Sequence, residues 1–216
     1  DSSSNANANN NIVININDES DEGISTRAND KIIKSIKGSS SEEVSAIINI
    51  NDSIDVGSIT NFDNLIIGSS KKLNVTEELD YNKGNYNKKG VVTFNGNSRL
   101  KLPTSPSEVG SLSSIGASNE LLITKRGSIL NINENQGIKG TPIEIDYEVG
   151  LEPQNGDEVL KFTNPALANN KNFTTDCDFN ISANTTDGFL YFSPKTYKIY
   201  MYTDMDTLYK TVEVRE

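Results

Sequence analysis

Aliphatic residues along this chain come in short runs separated by Gly, Asn, Ser and Asp, and within many runs apolar and polar positions alternate. Alternation with a period of two is the mark of a strand that buries one face. The runs predict strands at Ile12–Ile16, Ala46–Ile50, Ile54–Val56, Leu65–Ile67, Leu73–Val75, Val91–Phe94 and Arg99–Leu102. Further strands are predicted at Leu121–Thr124, Ser128–Ile132, Ile143–Val149, Val159–Phe162, Phe189–Phe192 and Thr196–Tyr202. One segment reads differently. Ile32, Ile33 and Ile36 fall at helical spacing, Asn29 or Asp30 can cap the start, and Gly38 can end it, so a single helix is expected over residues 29–37.

Val92/Phe94, Leu100/Leu102 and Leu130/Ile132 each place two apolar side chains on one face, and corners such as "FNGN" at Phe94–Asn97 hold residues that tolerate positive φ. No pair is stable alone, which suggests stacked coils. The spacing between pairs varies too much for a strict repeat. Residues 1–10, "DSSSNANANN", hold no apolar side chain larger than Ala and are expected to be a flexible tail.

The order from residue 29 is an amphipathic helix, a polar gap, "SAIININDSIDVGSITNFDNLIIGSSKKLNV" at Ser45–Val75, then "GVVTFNGNSRLKL" at Gly90–Leu102. Over residues 29–140 this resembles the right-handed parallel β-helices of the pectate-lyase-like adhesin type on bacterial surface proteins. The matching positions are Ile48, Ile50, Ile54, Val56, Leu65, Ile66, Ile67, Gly68 and Leu73. The resemblance implies an all-β solenoid over residues 11–140 whose first coil is covered by the helix near 29–37. A cover makes physical sense, because an open solenoid end exposes apolar core and unpaired strand edges.

Residues 141–216 form a β-rich C-terminal region, read either as final coils or as a small antiparallel sandwich. Ile143, Ile145, Tyr147 and Val149 alternate with Glu144, Asp146 and Glu148, and the chain then turns near Asn155-Gly156, a hairpin signal. A second hairpin is expected between Phe189–Phe192 and Thr196–Tyr202.

Composition narrows the chemistry. Thirty acidic against twenty basic residues give a formal charge of -10, and Lys and Arg are scattered except for Lys71/Lys72 and Lys88/Lys89. Nucleic acid is not expected as a partner, since phosphate neutralisation needs a basic stripe. The chain has no His, no Trp and a single cysteine, Cys177, which removes His-dependent triads, His-containing zinc sites and any internal disulfide. Cys177 sits between two aspartates that would raise a thiol pKa, so it reads as an inert small residue. No apolar stretch approaches the ~20 residues that span a bilayer, so membrane insertion is not expected. The sparse cysteine usage fits a bacterial surface protein, and secretion or cell-surface placement is expected.

Three sites come into consideration. Carboxylate pairs on neighbouring strands serve glycan-cleaving enzymes, and Asp204/Asp206 or Glu144/Asp146/Glu148 alternate onto one face. In so acidic a chain such alternation is expected by chance. "DYNKGNYNKKG" at Asp80–Gly90 offers alternating oxygen ligands, yet the glutamate that closes an EF-hand loop is replaced by Val91, so an exposed turn rich in positive φ is the simpler reading. Lys198, Tyr200, Tyr202 and Asp204 form a row of aromatic and polar groups suited to stacking on sugar rings, or else a face that packs on another sheet.

The expectation from sequence is a noncatalytic secreted bacterial cell-surface module for adhesion or wall-associated scaffolding. It would need no cofactor or metal, and a host or cell-wall glycan or surface protein would be its partner. The alternatives are a polysaccharide-binding or polysaccharide-acting β-helix protein, and a pilin or stalk subunit built from immunoglobulin-like domains.

Overall fold

The computed structural model describes residues 11–17, 32–82, 86–115, 119–123, 129–133, 138–140, 143–147 and 158–163, and five later strands. The first part of the chain carries β1 (Asn11–Ile16), β2 (Ile32–Lys37), β3 (Ser45–Ile50), β4 (Ile54–Thr60), β5 (Asn64–Ile67) and β6 (Lys72–Asp80). Then come β7 (Val91–Asn95), β8 (Arg99–Lys101), β9 (Ser107–Val109), β10 (Ser111–Ile115), β11 (Asn119–Ile123), β12 (Leu130–Ile132) and β13 (Ile138–Gly140). The last are β14 (Ile143–Tyr147), β15 (Glu158–Phe162), β16 (Phe173–Thr174), β17 (Phe179–Asn184), β18 (Phe189–Pro194), β19 (Lys198–Tyr202) and β20 (Tyr209–Val214). The protein is all-β and built on parallel sheets. The expected tail at 1–10 and Cys177 lie outside the described residues. No helix among the described residues is long and apolar enough to cross a membrane.

Strands β1, β3, β5, β7, β10 and β13 form a six-stranded sheet in that order, every pair parallel. A larger sheet of twelve strands branches at β6. The start of β6 pairs with β8, which leads to β11, β14 and β16; its end pairs with β9, which leads to β12 and β15. Neither sheet closes on itself. From β3 to β15 the chain returns repeatedly to the six-stranded sheet, then to one arm of the larger sheet and then to the other.

Register places like on like. Ile14, Ile48, Leu65, Val92 and Leu112 succeed one another across the six-stranded sheet, and Ile16, Ile50, Ile67 and Phe94 run beside them. In the larger sheet Leu73, Leu100 and Leu121 stack on one arm, and Val109, Ile132 and Phe162 on the other. All but Ile14 and Ile16 are buried. Burial of each such side chain contributes about 1.5–3 kcal/mol, which explains why short strands hold here that would not hold alone.

The helix expected at 29–37 is not there. Residues 32–37 form β2, parallel to β4, while 29–31 lie outside the described residues. The physical reason is a bend. Ile33 pairs with Val56 and Ile36 with Ile59, so two residues three apart both face the interior. Opposite Lys34 sits Gly57, packed so tightly that an added Cβ would collide with the Lys34 carbonyl oxygen. Val56 and Ile59 repeat the same spacing around that bend, both fully buried. A strand that turns a corner therefore mimics the apolar period of a helix.

Both expected C-terminal hairpins are corrected too. β14 runs parallel to β11, and β15 parallel to β12, so the two do not pair with each other across the Asn155-Gly156 turn. β18 pairs antiparallel with β15 and β17, and β19 with β20.

Corners use left-handed residues. Asn61, Ser70, Asn82, Asn87 and Asn97 have φ between 48° and 59°, and Gly90 has φ 61°. The positive-φ reading of the 80–90 segment thus holds at Asn82, Asn87 and Gly90, but the segment is not simply an exposed turn, because Tyr81 and Lys88 are buried. Connections of unequal length reach equivalent positions on neighbouring rungs: residues 61–63 lead from β4 to Asn64, residues 81–90 lead from β6 to Val91, and Asn64 pairs with Val91.

Several buried positions among the described residues are polar, and Ser98 Oγ, for one, donates to Asn119 Oδ1 at 3.2 Å. Ser107, fully buried at the start of β9 beside Leu130, has a hydroxyl with no hydrogen-bond partner among the described residues. A buried hydroxyl left unpaired costs about 1–3 kcal/mol. Ser107→Ala is expected to raise stability by about 1 kcal/mol, read as a higher urea midpoint at unchanged slope; a lower midpoint would contradict the packing described.

Candidate functional site

Parallel register carries outward-facing side chains into rows as faithfully as inward-facing ones. On the second arm of the larger sheet, Lys37 pairs with Thr60, Thr60 with Asp80, Asp80 with Glu108, Glu108 with Asn131 and Asn131 with Lys161. Adjacent rungs of a sheet stand about 4.8 Å apart. This row places two carboxylates side by side, with a hydroxyl and an ammonium group on one flank and an amide and an ammonium group on the other.

Its groups are organised by hydrogen bonds. Glu108 accepts from Asn131 Nδ2 at 2.6 Å through Oε1 and from Asn133 Nδ2 at 2.7 Å through Oε2, and Thr163 Oγ1 donates to Asn133 Oδ1 at 2.8 Å. Asp80 Oδ1 accepts the Asn82 N–H at 2.7 Å, Asn82 Nδ2 donates to Asn61 Oδ1 at 2.5 Å, and Asn61 Nδ2 donates to Ser40 Oγ at 3.2 Å. Asn61 and Asn82 reach these positions because both adopt the left-handed conformation at the corner. The row is a pre-ordered strip of oxygen and nitrogen atoms.

A second polar group lies inside. Lys88 and Asp63 form an ion pair at 3.5 Å with side chains only 1% and 9% exposed. Lys88 Nζ also donates to the carbonyl oxygens of Ser41, at 2.8 Å, and of Val44. Asp63 accepts the N–H of Ala46 at 2.8 Å and of Lys89 at 3.1 Å. Every contact of this pair secures the corners where β3, β5 and β7 begin, so its role is architectural.

The first arm carries charges of both signs. Lys72 pairs with Arg99, Arg99 with Glu120, and Glu120 with Glu144, and Arg99 bridges to the Glu120 carboxylate. Glu144 and Asp146 thus take rungs of a parallel ladder beside β11, whereas Glu148 lies outside the described residues. Among the described residues no group of three or more His, Cys, Asp and Glu is placed to hold a metal ion.

Of the row expected to meet sugars, Lys198, Tyr200 and Tyr202 lie on β19, paired with β20 in a separate two-stranded sheet, and Asp204 lies outside the described residues, as does Asp206. The carboxylates that the fold brings together are Asp80, read from sequence as the start of a turn, and Glu108, which was not singled out. Lys88 and Asp63 were not singled out either. A usable signal existed, since Asp63 and Lys88 both stand just before strand starts, at Asn64 and Val91, that pair with each other.

Comparison with protein-family models, with curated proteins and with solved structures finds no match for this chain.

Proposed function

We propose that this chain is a right-handed β-helix module, secreted by a bacterium and displayed at the cell surface, that binds without catalysis to a glycan or a surface protein. Three features support the β-helix reading: the parallel pairing of successive returns, the unbroken apolar stacks inside, and the regular alternation between the six-stranded sheet and the two arms. The observation that carries the binding reading is the row from Lys37 to Lys161, which lays polar groups across six strands. A row of this kind suits a long polar chain held by many shallow contacts, where affinity comes from repetition. Catalysis finds less support, because both oxygens of Glu108 are already engaged by amide donors, and a working acid or base needs an oxygen within reach of substrate.

The test is a glycan array together with wall preparations, run beside a turnover assay on acidic polysaccharides. Binding is expected to weaken at least tenfold, or by about 1.4 kcal/mol, in the pair Asp80→Asn with Lys161→Ala, with the circular dichroism spectrum unchanged. Cleavage of any polysaccharide would overturn the noncatalytic reading. Binding that ignores the pair of substitutions would move the site elsewhere, with the Lys198/Tyr200/Tyr202 row next to be tested.

A further inference from the structure

With β2 a strand and not a covering helix, two strand edges stand at the N-terminal end of the sheets, and they differ. Among the described residues β2 pairs only with β4, and β1 only with β3. The edge at β2 carries exposed Lys34 and Lys37, charges of the kind that keep strand edges from pairing with other chains. The edge at β1 carries none. Residues 11–17, "NIVININ", contain no charge, no proline and no glycine. The large apolar side chains exposed among the described residues are also here, Ile12 at 43% and Val13 at 52%.

Backbone geometry says which groups face outward. The Asn51 N–H donates to the Ile16 carbonyl at 2.9 Å, so Ile16 turns its polar backbone groups toward β3. By alternation Ile14 and Ile12 do the same, and Asn11, Val13 and Asn15 direct their N–H and C=O groups away from the sheet. The sequence about Val13 is symmetric in character. If the strand meets its own copy running the opposite way with Val13 opposite Val13, then Asn11 faces Asn15 and Ile12 faces Ile14. That one register matches amide with amide and aliphatic with aliphatic. It also sets the outward-directed residues opposite one another, where each pair exchanges both N–H···O bonds.

We propose that β1 is a self-pairing edge through which two copies of this chain associate about a two-fold axis at Val13. Pairing joins the two six-stranded sheets into one continuous sheet and extends the interior stack, since Ile12, left exposed in the single chain, comes to lie beside Ile14 of the other copy. The amide ladders formed by Asn49 Nδ2 on Asn15 Oδ1 and Asn51 Nδ2 on Asn17 Oδ1, both 2.8 Å, end at this edge and hold its polar side chains in line. A two-fold contact uses the same patch on both copies and therefore closes at two. This inference is independent of the binding row, which lies on the other sheet.

Light scattering on the full chain is expected to give twice the chain mass at micromolar concentration, and Val13→Lys, at a position already half exposed, is expected to give a folded single chain. In a Cys177→Ser background, Val13→Cys is expected to cross-link two copies on mild oxidation. A narrow antiparallel pair sets Cα atoms about 5.5 Å apart, within disulfide reach. Ile12→Cys, which would face Ile14, is expected to cross-link far less. A single-chain mass for the unaltered protein, a mass unaffected by Val13→Lys, cross-linking through position 12 in preference to 13, or growth into open fibres would each overturn the proposal. Were Val13→Lys to fail to fold, the two cysteine variants would still decide it.

Discussion

Lys88→Met is expected to destabilise the protein by about 3–5 kcal/mol, the range for removing one partner of a buried ion pair. The methionine keeps most of the volume, so the loss comes from electrostatics and hydrogen bonding. Asp63 would retain the N–H donors of Ala46 and Lys89 but lose its countercharge, and the carbonyl groups of Ser41 and Val44 would lose their shared donor. Those carbonyls belong to the stretch between β2 and β3, so the loss is expected to loosen residues 39–45 first. Urea unfolding reads the total, and hydrogen exchange reads the location. Asp63→Asn combined with Lys88→Met should cost less than the two single changes added together, because the second removes a charge that the first has already stranded. Additive effects would mean that the pair is not coupled as described.

Gly90→Ala is expected to cost about 3 kcal/mol or more, at the upper end for a single methyl group. Two effects combine. Gly90 has φ 61°, and a left-handed backbone carries a penalty of about 1–2 kcal/mol for a residue with a Cβ. The added methyl would also collide with the ring of Tyr81, 1% exposed and unable to swing outward, and would stand 2.7 Å from the Gly110 backbone nitrogen. Gly90 cannot drift to relieve this, since its N–H donates to Phe62 and its carbonyl accepts from Gly110. Gly96→Ala is the control: nothing lies within 4 Å of its added methyl, and the change should stay within about 0.5 kcal/mol. Equal losses at both glycines would refute the packing argument.

These two sites show where the sequence is transparent and where it is not. The alternation in "SAIINI" and "VVTFN" follows directly from one face being buried, and the structure places strands there, with Ile48, Ile50, Val92 and Phe94 inside. Residues 32–37 mislead because periodicity assumes a straight element. Once a strand bends at Gly57 and its neighbours, interior positions fall three apart, and Ile33/Ile36 look helical. Pairing partners are equally hidden: Glu144, Asp146 and Asn155-Gly156 spell a hairpin locally, but parallel partners supplied by β11 and β12 prevail. The Asp80–Glu108 contact joins residues far apart in the chain, and only the register of β6 and β9 brings them together. Nothing local announces it.

The unequal corners have a consequence for how such a chain diversifies. Residues 61–63 and residues 81–90 bring the chain to neighbouring rungs with no shift of register, so the longer corner already accommodates several extra residues while β5 and β7 stay aligned. Loop-closure entropy rises only slowly with length, which makes further lengthening there thermodynamically mild. New surface is therefore gained by growth at a corner, with the strands and their interior stacks left untouched.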